Sequence, residues 1–151
     1  MTSPDPLGAA GTGRHPLAPP PDVPLDLVVD ADGLYAMRAS VLAHAGSMGA
    51  STRTAERLLI VASELITNAI RHGGGRGRLR LWSDATRIYC KITDGGSGID
   101  DPETGRNRPD PAAVGGRGLW VSRQLAEDLV ITTGPRGTAV TVSLELSPQW
   151  S

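Results

Sequence analysis

The apolar positions of this chain change period several times, and each change marks an element. Residues 23–29 alternate loosely and read as a first strand. Pro24 has no N–H to give a ladder, which points to a sheet edge. Leu34, Met37, Val41 and Leu42 recur at helical spacing within residues 34–45, and Gly46 and Gly49 end that helix. Ser51 or Thr52 is placed to cap a longer second helix, which runs to about His72 and is stopped by Gly73, Gly74 and Gly75. Strands at 78–82 and 87–93 follow, joined by a polar turn through Ser83 and Asp84. Residues 94–98 form a glycine-rich turn. Residues 99–116 are polar, carry prolines and show no period, a length and composition that suit a lid. A third helix is predicted over 118–129. Strands at 130–133 and 138–146, turning at 134–137, close the chain as a hairpin.

The order is strand, two helices, two strands, helix, two strands. Strands adjacent in sequence are joined as hairpins, so the expected class is α/β of the α+β kind. It is a two-layer α/β sandwich, with a mixed, mostly antiparallel sheet covered on one face by helices. Residues 1–22 are rich in Pro, Gly, Ala and Ser and poor in large apolar groups. Such a segment buries too little to offset its ordering entropy, so it is expected to be a disordered tail ahead of one domain at 23–147.

Composition narrows the partners. A net charge of -1 over 151 residues gives no electrostatic reason to expect nucleic acid or an anionic membrane. A polyanionic ligand would have to be held by local donors. The single cysteine, Cys90, excludes an internal disulfide and a cysteine zinc site. His15, His44 and His72 show no metal-ligand spacing. No apolar run has the length of a membrane span and the start lacks a signal-peptide pattern, so the cytoplasm is the expected location.

The second helix is apolar around most of its circumference, through Leu58, Leu59, Val61, Ala62, Leu65, Ile66, Ala69 and Ile70. Glu64, Thr67, Asn68 and Arg71 interrupt it at spacings of three and four, hence on one face. A carboxylate and an amide in a buried helix are costly unless something satisfies them. One reading is a solvent-facing stripe with Glu64 paired to Arg71 or Arg57. The other is a metal–nucleotide site, with the Asn68 oxygen as a hard ligand for magnesium and Glu64 as proton acceptor. Two glycine turns favour the second. Asp94-Gly95-Gly96-Ser97-Gly98 follows a strand, where a carboxylate can accept from an exocyclic amine and Gly96 and Gly98 let backbone approach a ring. Gly115-Gly116-Arg117-Gly118-Leu119 precedes the third helix, whose N-terminal amides and dipole favour an anion, with Arg117 able to add a charge-assisted bond. Thr138 could assist Asp94. No G-x-x-x-x-G-K-[ST] string is present, which excludes a P-loop.

Four strings stand in order: E-L-I-T-N-A-I-R-H-G from Glu64 to Gly73, D-G-G-S-G from Asp94 to Gly98, G-R-G-L from Gly116 to Leu119, and G-T at Gly137 and Thr138. Together they resemble the histidine kinase/Hsp90/gyrase/MutL (GHKL) nucleotide-binding superfamily. The Glu-x-x-x-Asn-Ala-x-x-His string and the stand-alone size look most like the anti-sigma-factor serine/threonine kinases of the RsbW and SpoIIAB type. That resemblance implies a Bergerat-type ATP-binding fold and a pocket for ATP and Mg2+ under a mobile lid. It implies a homodimer that sequesters a sigma factor and phosphorylates a STAS-type anti-sigma-factor antagonist. It assigns Glu64 as general base, Asn68 as magnesium ligand, and Asp94, with Thr138, to adenine. Gly96, Gly98, Gly116 and Gly118 would shape the turns, with Arg117 and Leu119 beside the phosphates. Arg38 on the first helix falls where the family uses an arginine for partner contact and phosphoryl transfer. The residues also allow a non-catalytic module whose partner binding depends on nucleotide, and the catalytic half of a histidine kinase, for which the chain has no room for a dimerisation helix pair.

Overall fold

The computed structural model describes residues 19–95 and 116–147. Among the described residues five strands form one sheet: β1 (Leu25–Asp30), β2 (Arg76–Ser83), β3 (Arg87–Asp94), β4 (Asp128–Gly134) and β5 (Gly137–Glu145). The described helices, α1 (Leu34–Ser47), α2 (Thr52–His72) and α3 (Gly116–Leu125), pack on it, with a 3-10 turn, Ala31–Gly33, between β1 and α1. The strand order is β1-β2-β3-β5-β4, and each neighbouring pair is antiparallel. The two-layer sandwich is as expected. Where a mixed sheet was anticipated, the described strands are antiparallel throughout. β1 takes an edge, as Pro24 requires.

The side-chain period sets the layers. Leu79 and Leu81 on β2, Ile88, Cys90 and Ile92 on β3, and Val140, Val142 and Leu144 on β5 form one apolar face. Met37, Val41 and Ala45 from α1, with Leu58, Val61, Ala62, Leu65, Ile66 and Ala69 from α2, fill the space above it. No described helix is long and apolar enough to cross a membrane.

α2 is fixed at both ends. The Ser51 hydroxyl accepts from Thr54 N–H at 3.1 Å, and the Thr54 hydroxyl donates to the Glu145 carbonyl at 2.8 Å. At the other end the Gly73 amide donates to the Ala69 carbonyl. The strand after it begins at Arg76, two residues earlier than the sequence pattern suggests, and so takes in Gly77. A Cβ on Gly77 would stand 2.8 Å from the Ala69 Cβ, so glycine is what lets α2 lie close on the sheet there.

α3 corrects another expectation. It ends at Leu125 rather than at 129. Glu127 N–H already donates to the Ser143 carbonyl, and Asp128 pairs with Arg87 at 2.9 Å. These sheet contacts draw residues 127–129 out of the helix.

Candidate functional site

Glu64 and Asn68 lie one turn apart on α2, both half-buried. They face the start of α3. A Cβ on Gly118 would stand 3.0 Å from Glu64 Oε1 and 3.1 Å from Asn68 Nδ2. Only a glycine lets the first turn of α3 rest on the acid–amide stripe without displacing it. The Ser122 hydroxyl donates to the Gly118 carbonyl at 2.9 Å, tightening that turn. Leu119 is 3% exposed and belongs to the apolar core, so its side chain anchors α3. Gly116 and Arg117 open the helix, where the first amides have no helical acceptor.

A second group of residues gathers at the far end of α2. Asp94 is the last residue of β3 and pairs in register with Thr138 of β5. Thr138 is buried, and its hydroxyl lies 3.4 Å from that of Thr133. Two glycines enclose Asp94. A Cβ on Gly73 would collide with the Asp94 carboxyl carbon, and one on Gly137, whose φ is 129°, would collide with the Asp94 carbonyl oxygen. The sequence pattern marks Gly73 as a helix stop and Gly137 as part of a turn. Their closeness to Asp94 is a property of the sheet register. Gly73 follows Glu64 by nine positions, roughly 13 Å along the helix axis, so the acid–amide stripe and the Asp94 group lie at separate levels of α2.

Arg38 of α1 donates from Nε to the Ser63 hydroxyl at 3.2 Å, which seats it beside the helix turn that carries Glu64. Gly96, Gly98 and the lid expected within 99–114 lie outside the described residues, as does most of the N-terminal tail. A cleft of about 310 Å3, lined by Arg123, Gln124, Ala126, Glu127, Asp128 and Leu129, opens at the opposite end of α3 from Gly118. Its lining includes none of Glu64, Asn68 or Asp94. The described residues bring no three His, Cys, Asp or Glu side chains together, so they offer no all-protein metal cage.

A family model described as a histidine kinase-like ATPase domain matches residues 27–144. Among solved structures, the chain resembles the histidine kinase domain of the blue-light-activated histidine kinase EL346 from Erythrobacter litoralis. The identity is 24% and the TM-score 0.50, over 77% of this chain and 66% of that one. It resembles the RsbU and RsbW domains of Rv1364c from Mycobacterium tuberculosis at 18% identity and TM-score 0.56, over 82% of this chain and 33% of that one. For the mycobacterial sensor histidine kinase MprB the values are 20% and 0.52, over 83% and 100%. The chain thus spans just under two thirds of the EL346 domain and a third of the Rv1364c chain. At these identities the likeness is one of fold. No curated protein sequence matched.

Proposed function

Since this chain belongs to the histidine kinase-like ATPase domain family, whose members bind ATP, we propose that it is an anti-sigma-factor serine/threonine kinase. In this reading it acts in the cytoplasm as a homodimer that sequesters a sigma factor. It transfers phosphate from ATP to a serine or threonine of a STAS-type anti-sigma-factor antagonist.

One observation carries the reading: Gly118 seats the start of α3 directly on Glu64 and Asn68. Helix-start amides, a carboxylate and an amide then share one spot, where a terminal phosphate needs anion donors, a metal ligand and a base. Asp94 and Thr138 form an acceptor–hydroxyl pair suited to adenine, and Gly73 and Gly137 hold backbone close around it. An RsbW domain stands among the fold neighbours beside several histidine kinase domains, and the Glu64-x-x-x-Asn68-Ala-x-x-His72 string is what favours the anti-sigma reading.

The residues fit a magnesium ion bound mainly through phosphate and water, with the Asn68 oxygen as the ligand from the chain. Magnesium, when bound, screens the phosphate charge. Glu64 takes the proton of the antagonist's hydroxyl as that oxygen bonds to the terminal phosphorus and the bond to ADP breaks. Arg117 and the α3 amides hold the phosphate oxygens, and Arg38 meets the antagonist beside Glu64. Gly96, Gly98 and Gly116 shape the turns around the nucleotide.

The test is incubation with labelled Mg-ATP and a cognate STAS-type antagonist. Acid-stable phosphate on serine or threonine is expected, lost in Glu64→Ala while ATP still binds. Acid-labile phosphohistidine would make the chain the catalytic half of a histidine kinase. Nucleotide-linked partner binding without transfer would make it a non-catalytic interaction module.

A further inference from the structure

The helix-covered face of the sheet is built in rows that cross three strands, β3, β5 and β4. Cys90, Val142 and Leu129 stand in register in one row, and Ile92, Val140 and Ile131 in the next. Both rows are apolar and belong to the core or pack against it. The row that follows is polar and consists of Asp94, Thr138 and Thr133. The alternation of strand side chains puts it on the same face as the apolar rows. Asp94 and Thr138 belong to the nucleotide reading. Thr133 has no role in it.

Packing does not account for Thr133. It is exposed, whereas Thr138 beside it is buried. Valine has the shape of threonine and would continue the apolar rows. What threonine adds is a hydroxyl, 3.4 Å from that of Thr138. This is long for a hydroxyl pair, ordinarily about 2.7–2.8 Å apart, and bonds at a binding site commonly tighten when the ligand arrives. A cross-strand threonine pair can also serve the hairpin alone, and a thermal melt separates that role from a binding one.

The polarity of the base gives the hydroxyl a task. Adenine presents an amine donor beside a ring-nitrogen acceptor. A 6-oxopurine presents the reverse, a carbonyl acceptor beside an N–H donor. The Asp94 carboxylate can only accept, so a site that matches adenine needs Thr138 to donate. A hydroxyl holds one proton and two lone pairs, and its proton turns to suit its surroundings. Asp94 stands on one side of Thr138 and Thr133 on the other. With Thr133 donating, one lone pair of Thr138 is taken and the Thr138 proton is directed to the Asp94 side, where the base lies. Bonds in such a chain polarise one another, which makes Thr138 a better donor and a poorer acceptor.

We propose that Thr133 is a positioning residue: it donates to Thr138, turns the Thr138 proton toward the base, and so sets the preference of the site for adenine over 6-oxopurines. The inference rests on the nucleotide reading of Asp94 and Thr138.

The experiment measures Kd for Mg-ATP and Mg-ITP by isothermal titration of the full chain, comparing the parent with Thr133→Val, Thr133→Ser and Asp94→Asn, beside a thermal melt of each. ITP carries hypoxanthine, which reverses the polarity of the base without the extra amine of guanine. The parent is expected to favour ATP. Thr133→Val lowers that preference by roughly fivefold to tenfold, mainly by weakening ATP, and Thr133→Ser restores it. A Thr133→Val protein that melts lower but keeps the parental ratio of the two affinities would overturn the proposal and give Thr133 to the hairpin. So would a folded Thr133→Ser protein that fails to restore the ratio. In both cases ATP binding and its loss in Asp94→Asn stand. A parent that binds no ATP, or an Asp94→Asn protein that binds it equally well, would overturn the nucleotide reading itself and the proposal with it.

Discussion

The Asp94 carboxyl group lies against the backbone of Gly73 so tightly that no side chain fits between them. The φ of Gly73 is -117°, which any residue adopts, so the constraint is steric and comes from Asp94 and the Ala69 carbonyl. Gly73→Ala is therefore expected to push Asp94 aside. ATP affinity should fall by about tenfold or more, with a stability loss of about 1–3 kcal/mol. Calorimetric titration beside a thermal melt checks both. Unchanged affinity would detach Asp94 from the nucleotide.

Gly118→Ala should behave differently. The nearest atoms to an added Cβ, Glu64 Oε1 and Asn68 Nδ2, are ends of side chains that can swing. Alanine also gains about 1 kcal/mol in helix propensity over glycine. The fold should hold, with melting shifted by a few degrees at most. Glu64 and Asn68 lose their positions instead, so phosphoryl transfer is expected to drop more than ATP binding. A larger loss in Kd than in kcat would contradict this.

The buried Tyr89–Asp84 pair gives a pH signature. Burial, and the hydrogen bond it donates to Asp84 at 2.7 Å, push the Tyr89 phenol up to about 12. The folded protein holds that proton more tightly than the unfolded chain. Its stabilising effect is full below the ordinary tyrosine value of 10.0 and is lost as pH rises towards about 12. Burial acts to raise the Asp84 carboxyl, but the Tyr89 hydroxyl and the amides of Thr86 and Arg87 outweigh it and hold the group below 3.8. That contribution is present above the ordinary value and disappears as pH falls through the lowered one. Tyr89→Phe should cost about 1–3 kcal/mol at neutral pH and flatten both limbs. Cys90, raised to about 12 by full burial, retains a part of the alkaline slope. Urea midpoints across pH for both proteins test this, and parallel curves would refute it.

Arg38 is exposed and donates from Nε to Ser63, which leaves the outer edge of its guanidinium able to meet a partner. Arg38→Ala should leave ATP affinity intact and weaken use of the antagonist by about tenfold. The change should appear in KM for the antagonist. An altered ATP Kd with normal antagonist KM would move Arg38 into the nucleotide site.

Much of this architecture was legible from periodicity. The capped α2 helix, its acid–amide stripe and the edge position of β1 follow from local patterns that burial then enforces. The misses have non-local causes. The apolar residues around Ala126 and Leu129 prolong a helical pattern, yet Leu129 pairs with Val142 and Asp128 binds Arg87, partners distant in sequence. β2 starts two residues before the predicted strand, at Arg76, and Gly77 within it lies against Ala69 of α2, a contact distant in the pattern. The enclosure of Asp94 by Gly73 and Gly137 depends on register between β3 and β5, which no local pattern carries.

The central claim is that Asn68 and Asp94 serve one nucleotide. Isothermal titration with Mg-ATP tests it most directly, comparing the parent with Asp94→Asn and Asn68→Ala. Saturable binding to the parent is predicted, weakened roughly ten- to hundredfold by Asp94→Asn, the worth of one charge-assisted bond. Asn68→Ala should lower affinity in magnesium and change it little in EDTA. Equal affinity in all three proteins would contradict the account.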